Sequence, residues 1–403
     1  MLFNFIVSIG IVSDIFTRLF QFLDDPDERP WVAIGAFAIF VILGAAWIHQ
    51  SQVLPGVSVS DTQLSGQVID MSWNEEGTQA LALIESASGS ELMLRDSTGT
   101  WTSIDCDCTP TSIGGSSSSW VIGGADGWMG MIDSGPDAYL QTRPLEWPSG
   151  ALDIVSLDGS SSAGWMIAES GNGMRTAHTW DGLSVSNGTA APLSTIILTD
   201  VEMVSGGSLL IGHDLSAGNP ADGPTAEVLI DGANVIGGAP VLDLLHLGAG
   251  QSFHTIIPVE NGPWYNAFIG IVAGGDSTYG IQADRSVHRI PGAFGSDTIA
   301  LDSTGSLWMS DGDHIETIGM GDESSNAVVM PASIDVDISS MYTAGDNIVM
   351  ISVDGAERIT IDPSAQHSLL HSLQLLGDVL LILVLFAFGG FGGHALLRKH
   401  DVI

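Results

Sequence analysis

Residues 298–311, Thr298-Ile-Ala-Leu-Asp-Ser-Thr-Gly-Ser-Leu-Trp-Met-Ser-Asp311, decide the fold because their pattern recurs along the chain. Two short apolar runs, 298–301 and 307–311, flank a polar turn that begins at Asp302. Short apolar runs bounded by turn residues are typical of buried β-strands. Aspartate favours such a turn because its carboxylate accepts hydrogen bonds from nearby backbone amides, and glycine tolerates a positive φ angle. The stretch therefore predicts two neighbouring strands joined by a tight turn.

The second run of this pattern has seven occurrences, whose starting points lie about 40–54 residues apart: 80–85, 120–124, 165–169, 209–213, 253–258, 307–311 and 348–352. A shorter apolar run precedes most of them, at 68–71, 152–155, 201–204, 242–245, 298–301 and 338–341, with a weak counterpart at 111–113. Four strands of about five residues, with their turns, need roughly 40–45 residues, the length of a propeller blade. The spacing predicts an all-β fold, a seven-bladed β-propeller. Six or eight blades and tandem β-sandwiches are the alternatives, and the count is most open in the fifth unit, where 263–265 are inserted.

The turns of these units resemble those of known propeller repeats. Asp302–Trp308 and Asp96-Ser-Thr-Gly-Thr-Trp101 place Asp and Gly before an aromatic strand residue, and Asn74-Glu-Glu-Gly77 is a looser version. These stretches resemble β-propeller repeats of the WD40-like, NHL-like and Asp-box-like types over most of residues 66–362. The Gly-His and Trp-Asp pair of WD40 blades is absent. The resemblance implies a propeller architecture and no specific activity.

Closure of a propeller ring usually requires a strand from one end of the chain to complete the blade at the other end. Residues 57–60 are suited to pair with the last blade, which ends near Ile361. We therefore expect residues 56 and 362 to lie side by side.

Two apolar runs flank the repeats, and each is long enough to cross a bilayer as a helix. The first, 31–48, has Trp31 and Trp47 near its ends, as in an aromatic belt. We expect Asp378, at the outer edge of the second run, to reach water. The predicted divisions are a cytoplasmic amphipathic helix and linker (1–30), transmembrane helix 1 (31–49), an extracellular propeller (50–372), transmembrane helix 2 (373–397) and a cytoplasmic tail (398–403).

Basic residues predict the orientation of these spans. Arg18 and Arg29 precede the first, and Arg398 and Lys399 follow the second. Because positive residues favour the inner side, both termini are expected in the cytoplasm and the propeller outside the cell membrane. The sequon Asn187-Gly188-Thr189 agrees with that side.

Residues 1–23 predict an amphipathic helix on the inner leaflet, or alternatively a docking helix for a partner. Its apolar residues are Phe5, Ile9, Val12, Phe16, Leu19 and Leu23. In the second span, Gly389 and Gly393 form a small-xxx-small pair. We expect small residues to pack the two spans together, and homodimerisation through Gly389 and Gly393 is the alternative.

The formal charge of −37 is concentrated in the repeats, since residues 50–372 hold 40 of the 47 acidic residues and 6 of the 10 basic ones. Nucleic-acid affinity depends mainly on Lys and Arg at phosphates, so this composition excludes a nucleic-acid partner. The same surface disfavours anionic lipid headgroups.

No catalytic, cofactor-binding or metal-binding residue is predicted, and no cofactor. His213, His246 and His254 read as scattered structural histidines, with a channel metal triad as the alternative. Asp311, Asp313 and His314 read as a solvated turn, with a Ca²⁺ loop as the alternative. Asp335 and Asp337 are expected on one face of a strand. Cys106 and Cys108 lack further metal ligands nearby, so they predict two thiols or a strained local bridge, with metal or redox chemistry as the alternative.

The leading functional hypothesis is a membrane-tethered protein-binding or scaffolding module of an envelope complex, with an envelope or membrane protein as partner. The alternatives are a propeller enzyme, such as a hydrolase, lyase or quinone-dependent dehydrogenase, and a ligand sensor. Converged carboxylates or histidines at the ring centre would favour the enzyme.

Overall fold

A computed structural model of the chain describes residues 30–399, apart from 65, 117, 137, 216–225, 237, 250–252, 260–267, 275–276, 291–292, 294–295, 313, 320–321, 323, 332–333, 335–336 and 368. The chain divides into two units. The first is all β, Leu54–Gln366, and the second contains the helices α1 (Pro30–Gln52) and α2 (Leu369–Lys399).

Seven antiparallel sheets follow one another in the β unit, and each forms one blade of a propeller. Blade 1 contains β2 (Gln67–Trp73), β3 (Ala80–Ser86), β4 (Gly89–Arg95) and β5 (Trp101–Ile104); blade 2 contains β6 (Pro110–Ser116), β7 (Ser119–Gly124), β8 (Met129–Asp133) and β9 (Gln141–Thr142). Blade 3 contains β10 (Asp153–Gly159), β11 (Gly164–Glu169) and β12 (Arg175–Trp180); blade 4 contains β13 (Ile196–Val204), β14 (Gly207–Asp214), β15 (Ala226–Ile236) and β16 (Ala239–Ala249). Blade 5 contains β17 (Phe253–Pro258), β18 (Gly270–Gly274), β19 (Ser277–Ile281) and β20 (Val287–Arg289); blade 6 contains β21 (Thr298–Leu301), β22 (Leu307–Ser310), β23 (Ile315–Ile318) and β24 (Asn326–Ala327). Blade 7 contains β25 (Ile338–Ala344), β26 (Asn347–Ser352), β27 (Glu357–Ile361) and β1 (Val57–Asp61). The predicted seven-bladed propeller is confirmed.

Strand β1 closes the ring, as the sequence predicts. It pairs antiparallel with β27, with Val57 opposite Ile361. The amide of Asp362 donates to the carbonyl oxygen of Gly56 over 3.1 Å, so the two ends of the β unit lie side by side. Gly56 has a φ of 76°, a conformation that favours glycine. The outer strand of the last blade therefore comes from the start of the unit.

The second strand of each blade is buried, because both of its faces are covered by neighbouring blades. The five residues Ala80–Ile84 of β3 are all buried, and so are all of β18 and β22. The sequence identified this strand in six blades and failed in blade 5. There, 253–258 form the first strand, and 242–245 lie within the outer strand of blade 4. Both runs are apolar. Apolar composition alone does not show whether a strand is the first, the second or the outermost strand of its blade.

The predicted aspartate turns are confirmed in atomic detail. Oδ1 of Asp302 accepts hydrogen bonds from the amides of Thr304 and Ser306, each over 2.9 Å. Oδ2 of Asp302 accepts from Nε1 of Trp308 over 2.8 Å, so the turn is tied to a fully buried ring. Asp96 accepts from the amides of Thr98 and Thr100 in the same way. The carboxylate replaces the backbone acceptors that a tight turn leaves unused.

The apolar core is divided among the interfaces between blades. Trp120 of blade 2, which is fully buried, packs with Leu81 and Leu83 of blade 1. Trp308 of blade 6 packs with Met341 and Met350 of blade 7. Burying one such side chain contributes about 1.5–3 kcal/mol. Each blade therefore depends on its neighbours for stability.

The helices α1 and α2 pack through a small residue, as expected. A Cβ added at Gly44 of α1 would lie 3.3 Å from Cδ2 of Leu381 in α2. Gly389 of α2 has no atom within 4 Å of such a Cβ, so the homodimer contact stays a prediction. Asp378 was expected to reach water, and this expectation is wrong, since its residue surface is only 7% exposed. Its neighbour Gly377 lies close to Trp47, which places this part of α2 against α1.

The predicted spans 31–49 and 373–397 are helical. By length and apolar content, no helix in the described part of the chain qualifies as a membrane span. The predicted amphipathic helix at 1–23 lies outside the described residues.

Candidate functional site: the carboxyl cluster of the central channel

The first strands of the seven blades contact one another in a closed cycle around the propeller axis, from β2 through β6, β10, β13, β17, β21 and β25 back to β2. In every blade except the sixth, a β-bulge interrupts this strand near its start. A bulge re-aims the side chains that follow it. The residue after each bulge, together with the matching residue of blade 6, is polar. These seven residues form what we call the channel ring: Asp70, Ser112, Ser156, Asp200, Thr255, Thr298 and Ser340.

The channel ring joins neighbouring blades. Three of its side chains accept a hydrogen bond from a backbone amide of the next blade: Ile113 N to Asp70 Oδ2 (3.3 Å), Val201 N to Ser156 Oγ (3.1 Å) and Met341 N to Thr298 Oγ1 (2.9 Å). The hydroxyl of Ser156 also donates to Oδ1 of Asp200 over 2.6 Å. A buried amide without a partner costs about 1–3 kcal/mol. These polar side chains therefore satisfy the amides that the bulges free from the sheets.

Asp158 links three consecutive blades. It lies two residues after Ser156 and so on the same face of β10. Its Oδ1 accepts the amide of Gly115 in blade 2 over 2.7 Å, and its Oδ2 accepts the amide of Met203 in blade 4 over 2.6 Å. An anionic acceptor strengthens each of these bonds. Glu202 lies close enough to Asp158 for the charge of Asp158 to raise its pKa.

The electrostatics of the cluster follow from burial of several like charges together. Burial, reinforced by the charge of Asp200, raises the pKa of Asp70 to about 7, although the amides of Met71 and Ile113 act in the opposite direction. Burial also raises the pKa of Asp200 to about 6, while hydrogen bonds from Ser156 and Val201 lower it. Burial and the charge of Asp70 raise the pKa of the Tyr342 hydroxyl, which therefore stays protonated.

Glu202 is the fourth carboxyl of the cluster. Burial raises its pKa well above the usual range, and the charges of Asp158 and Asp200 raise it further.

The arrangement can cross-link blades and store protons. Asp70, Asp158 and Asp200 each accept at least one backbone amide, so their oxygens are engaged in structural bonds. In the described residues, no three His, Cys, Asp or Glu side chains are grouped so as to hold a metal ion.

The histidines that the sequence drew attention to lie outside this cluster. His246 is on the outer strand of blade 4, where its ring lies 5.0 Å from that of Tyr279. His254 occupies the bulge of β17, with Nε2 4.0 Å from Oδ1 of Asp297, and His213 is close enough to lower the pKa of His254 by repulsion. Burial is the larger cause of that lowering. The three histidines therefore do not form the metal-binding triad that was the alternative.

The acidic turn and strand candidates are also separate from the channel. Asp311 and His314 lie in the turn between β22 and β23, and Nε2 of His314 contacts Oε1 of Glu316 at 3.0 Å. Asp313 and Asp335 lie outside the described residues. Asp337 is exposed and precedes β25, so the prediction that it lies within a strand is wrong.

Cys106 and Cys108 form a disulfide, which confirms the alternative of a local bridge. The bridge lies between β5 and β6, and Cys106 packs against the core around Trp120. Asn187 of the sequon is exposed, and its amide donates to the carbonyl oxygen of Gly238.

Sequence reasoning missed the channel carboxyls, although a signal for them was present. The apolar runs 68–71 and 201–204 each contain one acid, Asp70 and Glu202. An acid inside a short buried strand requires hydrogen-bond partners. It therefore indicates an inward-facing polar position. Pairing the acids of different blades required the ring geometry, which the sequence does not contain.

Comparisons with known proteins support the fold. No protein-family model matches the chain, and no curated protein matches it. Among solved structures, the β-propeller domain of Myceliophteria thermophila Cps50 (Swd1) is similar with 8% identity, covering 75% of this chain and 99% of that one, at a TM-score of 0.52. A catalytically inactive virginiamycin B lyase from Staphylococcus aureus, solved with quinupristin, is similar with 11% identity, covering 76% and 99%, at a TM-score of 0.52. The WD40 β-propeller domain of Doa1 matches with 14% identity, covering 76% and 97%, at a TM-score of 0.48. The chain thus has the β-propeller fold, which the Cps50 domain shares.

Proposed function

We propose that this chain is a membrane-tethered, extracytoplasmic β-propeller that acts as a protein-binding or scaffolding module of an envelope complex. Two lines of reasoning support the proposal: the apolar surface of the helices and the structural use of the channel carboxyls.

The surface of the helices carries the proposal of a tether. Ile39, Ile42 and Leu43 of α1 are each more than 60% exposed, and so are the side chains of Leu373 and Phe386 in α2. Large apolar side chains exposed in a continuous series require a cover other than water. The uncharged run 31–48 suits a lipid cover, and the basic residues beyond each helix favour an extracytoplasmic propeller.

The channel supports the binding role. Asp70 and Asp158 at the ring centre accept hydrogen bonds from backbone amides of neighbouring blades, and these bonds stiffen the disc. A rigid disc presents its turns in fixed positions, as a binding surface requires. Such an acidic domain suits partners with basic surfaces.

Membrane fractionation and affinity purification together test the proposal. The full chain is expected to stay in the membrane pellet after an alkaline carbonate wash, and Ile42→Arg with Leu43→Arg is expected to release it. Leu183→Arg, which adds charge at an exposed leucine of the propeller, serves as the control and is expected to stay in the pellet. Purification in mild detergent is expected to recover a stoichiometric protein partner. Release of the wild type by carbonate, or recovery of the bare chain alone, would contradict the proposal.

A second candidate, a hydrolase or lyase, is favoured by one observation: carboxyls converge in the channel, and burial raises the pKa of Glu202. A buried protonated carboxyl can serve as a general acid. Turnover in a screen of hydrolase and lyase substrates that Glu202→Gln abolishes, while the fold is retained, would support this candidate. Equal activity of the two proteins would reject it.

A further inference from the structure

The outer strand of blade 4 differs from every other outer strand of the propeller. β16 has 11 residues, whereas β5, β9, β12, β20, β24 and β1 have 4, 2, 6, 3, 2 and 5. β16 is the last strand of its sheet, and no described strand pairs with its outer edge. A long free edge presents a row of backbone donors and acceptors to any extended chain nearby. Proteins usually keep such edges short, as the other blades do.

The composition of β16 also leaves the edge open. β16 has one proline near its start, Pro240, whose carbonyl oxygen accepts a hydrogen bond from Oγ1 of Thr189. The seven residues that follow, 241–247, contain five aliphatic residues and neither lysine nor proline. Lysine and proline are the residues that commonly block strand addition. Leu244 is 41% exposed, and a bulge leaves Leu245 without a partner on β15. From Val241 onward, the edge therefore combines backbone groups that no described strand pairs with and an exposed apolar side chain.

We propose that the edge of β16 binds an extended, basic segment of another protein, which adds to blade 4 as a further antiparallel or parallel strand. The proposal deepens the binding role and rests on it. Strand addition of this kind obtains its affinity from main-chain hydrogen bonds and its specificity from alternate side chains.

Charge selects the occupant. The propeller region has 40 acidic residues against 6 basic ones, so a second copy of the chain would meet strong repulsion. Asp243, on the edge strand itself, keeps an exposed side chain even though Oδ2 contacts Nη1 of Arg285 at 3.1 Å. An incoming strand with Lys or Arg at alternate positions would meet this carboxylate and the surrounding negative field. Complementary charge would also speed its association.

The test uses the full chain in mild detergent and a labelled ten-residue peptide of alternating Lys and Val. Fluorescence anisotropy is expected to detect binding that weakens with salt. Hydrogen exchange is expected to slow at 241–249 when the peptide is added. A peptide with proline at its central valine is the peptide control, since it loses a backbone donor.

Variants of the protein distinguish binding at the edge of β16 from non-specific electrostatic attraction to the acidic propeller. Leu244→Lys is expected to raise the dissociation constant about ten-fold, because it removes an apolar contact and adds a like charge. Leu183→Lys makes the same charge change at an exposed leucine of blade 3 and is expected to leave binding nearly unchanged.

Equal losses in the two variants, equal binding of the proline peptide, or slowed exchange elsewhere on the disc would overturn the proposal. Dimers that protect β16 without peptide would assign the edge to a second copy and overturn it as well. If affinity purification recovers a partner but hydrogen exchange at β16 stays fast, the binding role is retained and the proposal that β16 is the binding surface is rejected.

Discussion

Raising the pH from 5 to 8 is expected to destabilise the propeller, because the channel binds protons more tightly when folded. The pKa of Asp70 is about 7 in the folded protein and 3.8 in the reference state. A carboxyl with a raised folded pKa contributes stability that is complete below the unfolded pKa and is lost as the pH rises towards the folded one. For Asp70 alone, the loss from pH 5 to 8 is about 2–3 kcal/mol. Asp200, with a pKa of about 6, acts in the same direction, although the two groups are coupled and their effects do not add.

Thermal unfolding of the full chain in detergent, at fixed ionic strength across this range, checks the prediction. A loss of this size lowers Tm by roughly 3–5 °C for a unit of about 300 residues. Asp70→Asn is expected to remove much of the pH dependence. Asp96→Asn is the opposing control, since hydrogen bonds from Thr98 and Thr100 lower the pKa of Asp96, so its contribution is lost only in acid. A Tm that is constant or rises from pH 5 to 8, or an unchanged profile in Asp70→Asn, would refute the reasoning.

Three further changes probe single features. Asp158→Asn is expected to lower the free energy of unfolding by about 2–4 kcal/mol, because two amides from neighbouring blades lose their carboxylate acceptor. Urea unfolding measures this loss. A loss below about 0.5 kcal/mol, the size typical of surface substitutions, would contradict the role of Asp158 as a link between blades. Trp308→Phe is expected to lower the free energy of unfolding by about 1–3 kcal/mol, because it removes the hydrogen bond from the indole to Asp302. In a double-mutant cycle, the variant with both Trp308→Phe and Asp302→Asn is expected to lose less stability than the two single variants together. Removing the disulfide by Cys106→Ser with Cys108→Ser is expected to cost only about 1–2 kcal/mol, since the closed loop is so short; failure to fold would show a larger role.

Much of the fold is predictable from the chain because the blade repeat is written in short apolar runs and in turn residues. The pairing of 57–60 with the last blade followed from the requirement that a ring must close, and Val57 lies opposite Ile361 as required. The assignment failed where two apolar runs compete. The run 242–245 belongs to an unusually long outer strand, and nothing in its composition distinguishes it from the first strand of the next blade.

The channel cluster was much harder to foresee. Asp70, Asp158 and Glu202 are far apart in sequence, and each alone looks like an ordinary acid in an acidic chain. Their roles depend on three bulges that turn the side chains towards neighbouring blades, and bulges leave little trace in a single sequence. The local disulfide, in contrast, was among the sequence-based alternatives because two cysteines one residue apart have few other uses.

Labelling of intact cells tests the central claim of a tethered, extracytoplasmic propeller most directly. The native cysteines are paired, so Ser149→Cys introduces one reactive thiol at an exposed turn of the propeller. A membrane-impermeant maleimide is expected to label this thiol in intact cells, and the labelled chain is expected to remain in the membrane pellet. Labelling only after lysis, or recovery of the chain in the soluble fraction, would contradict it.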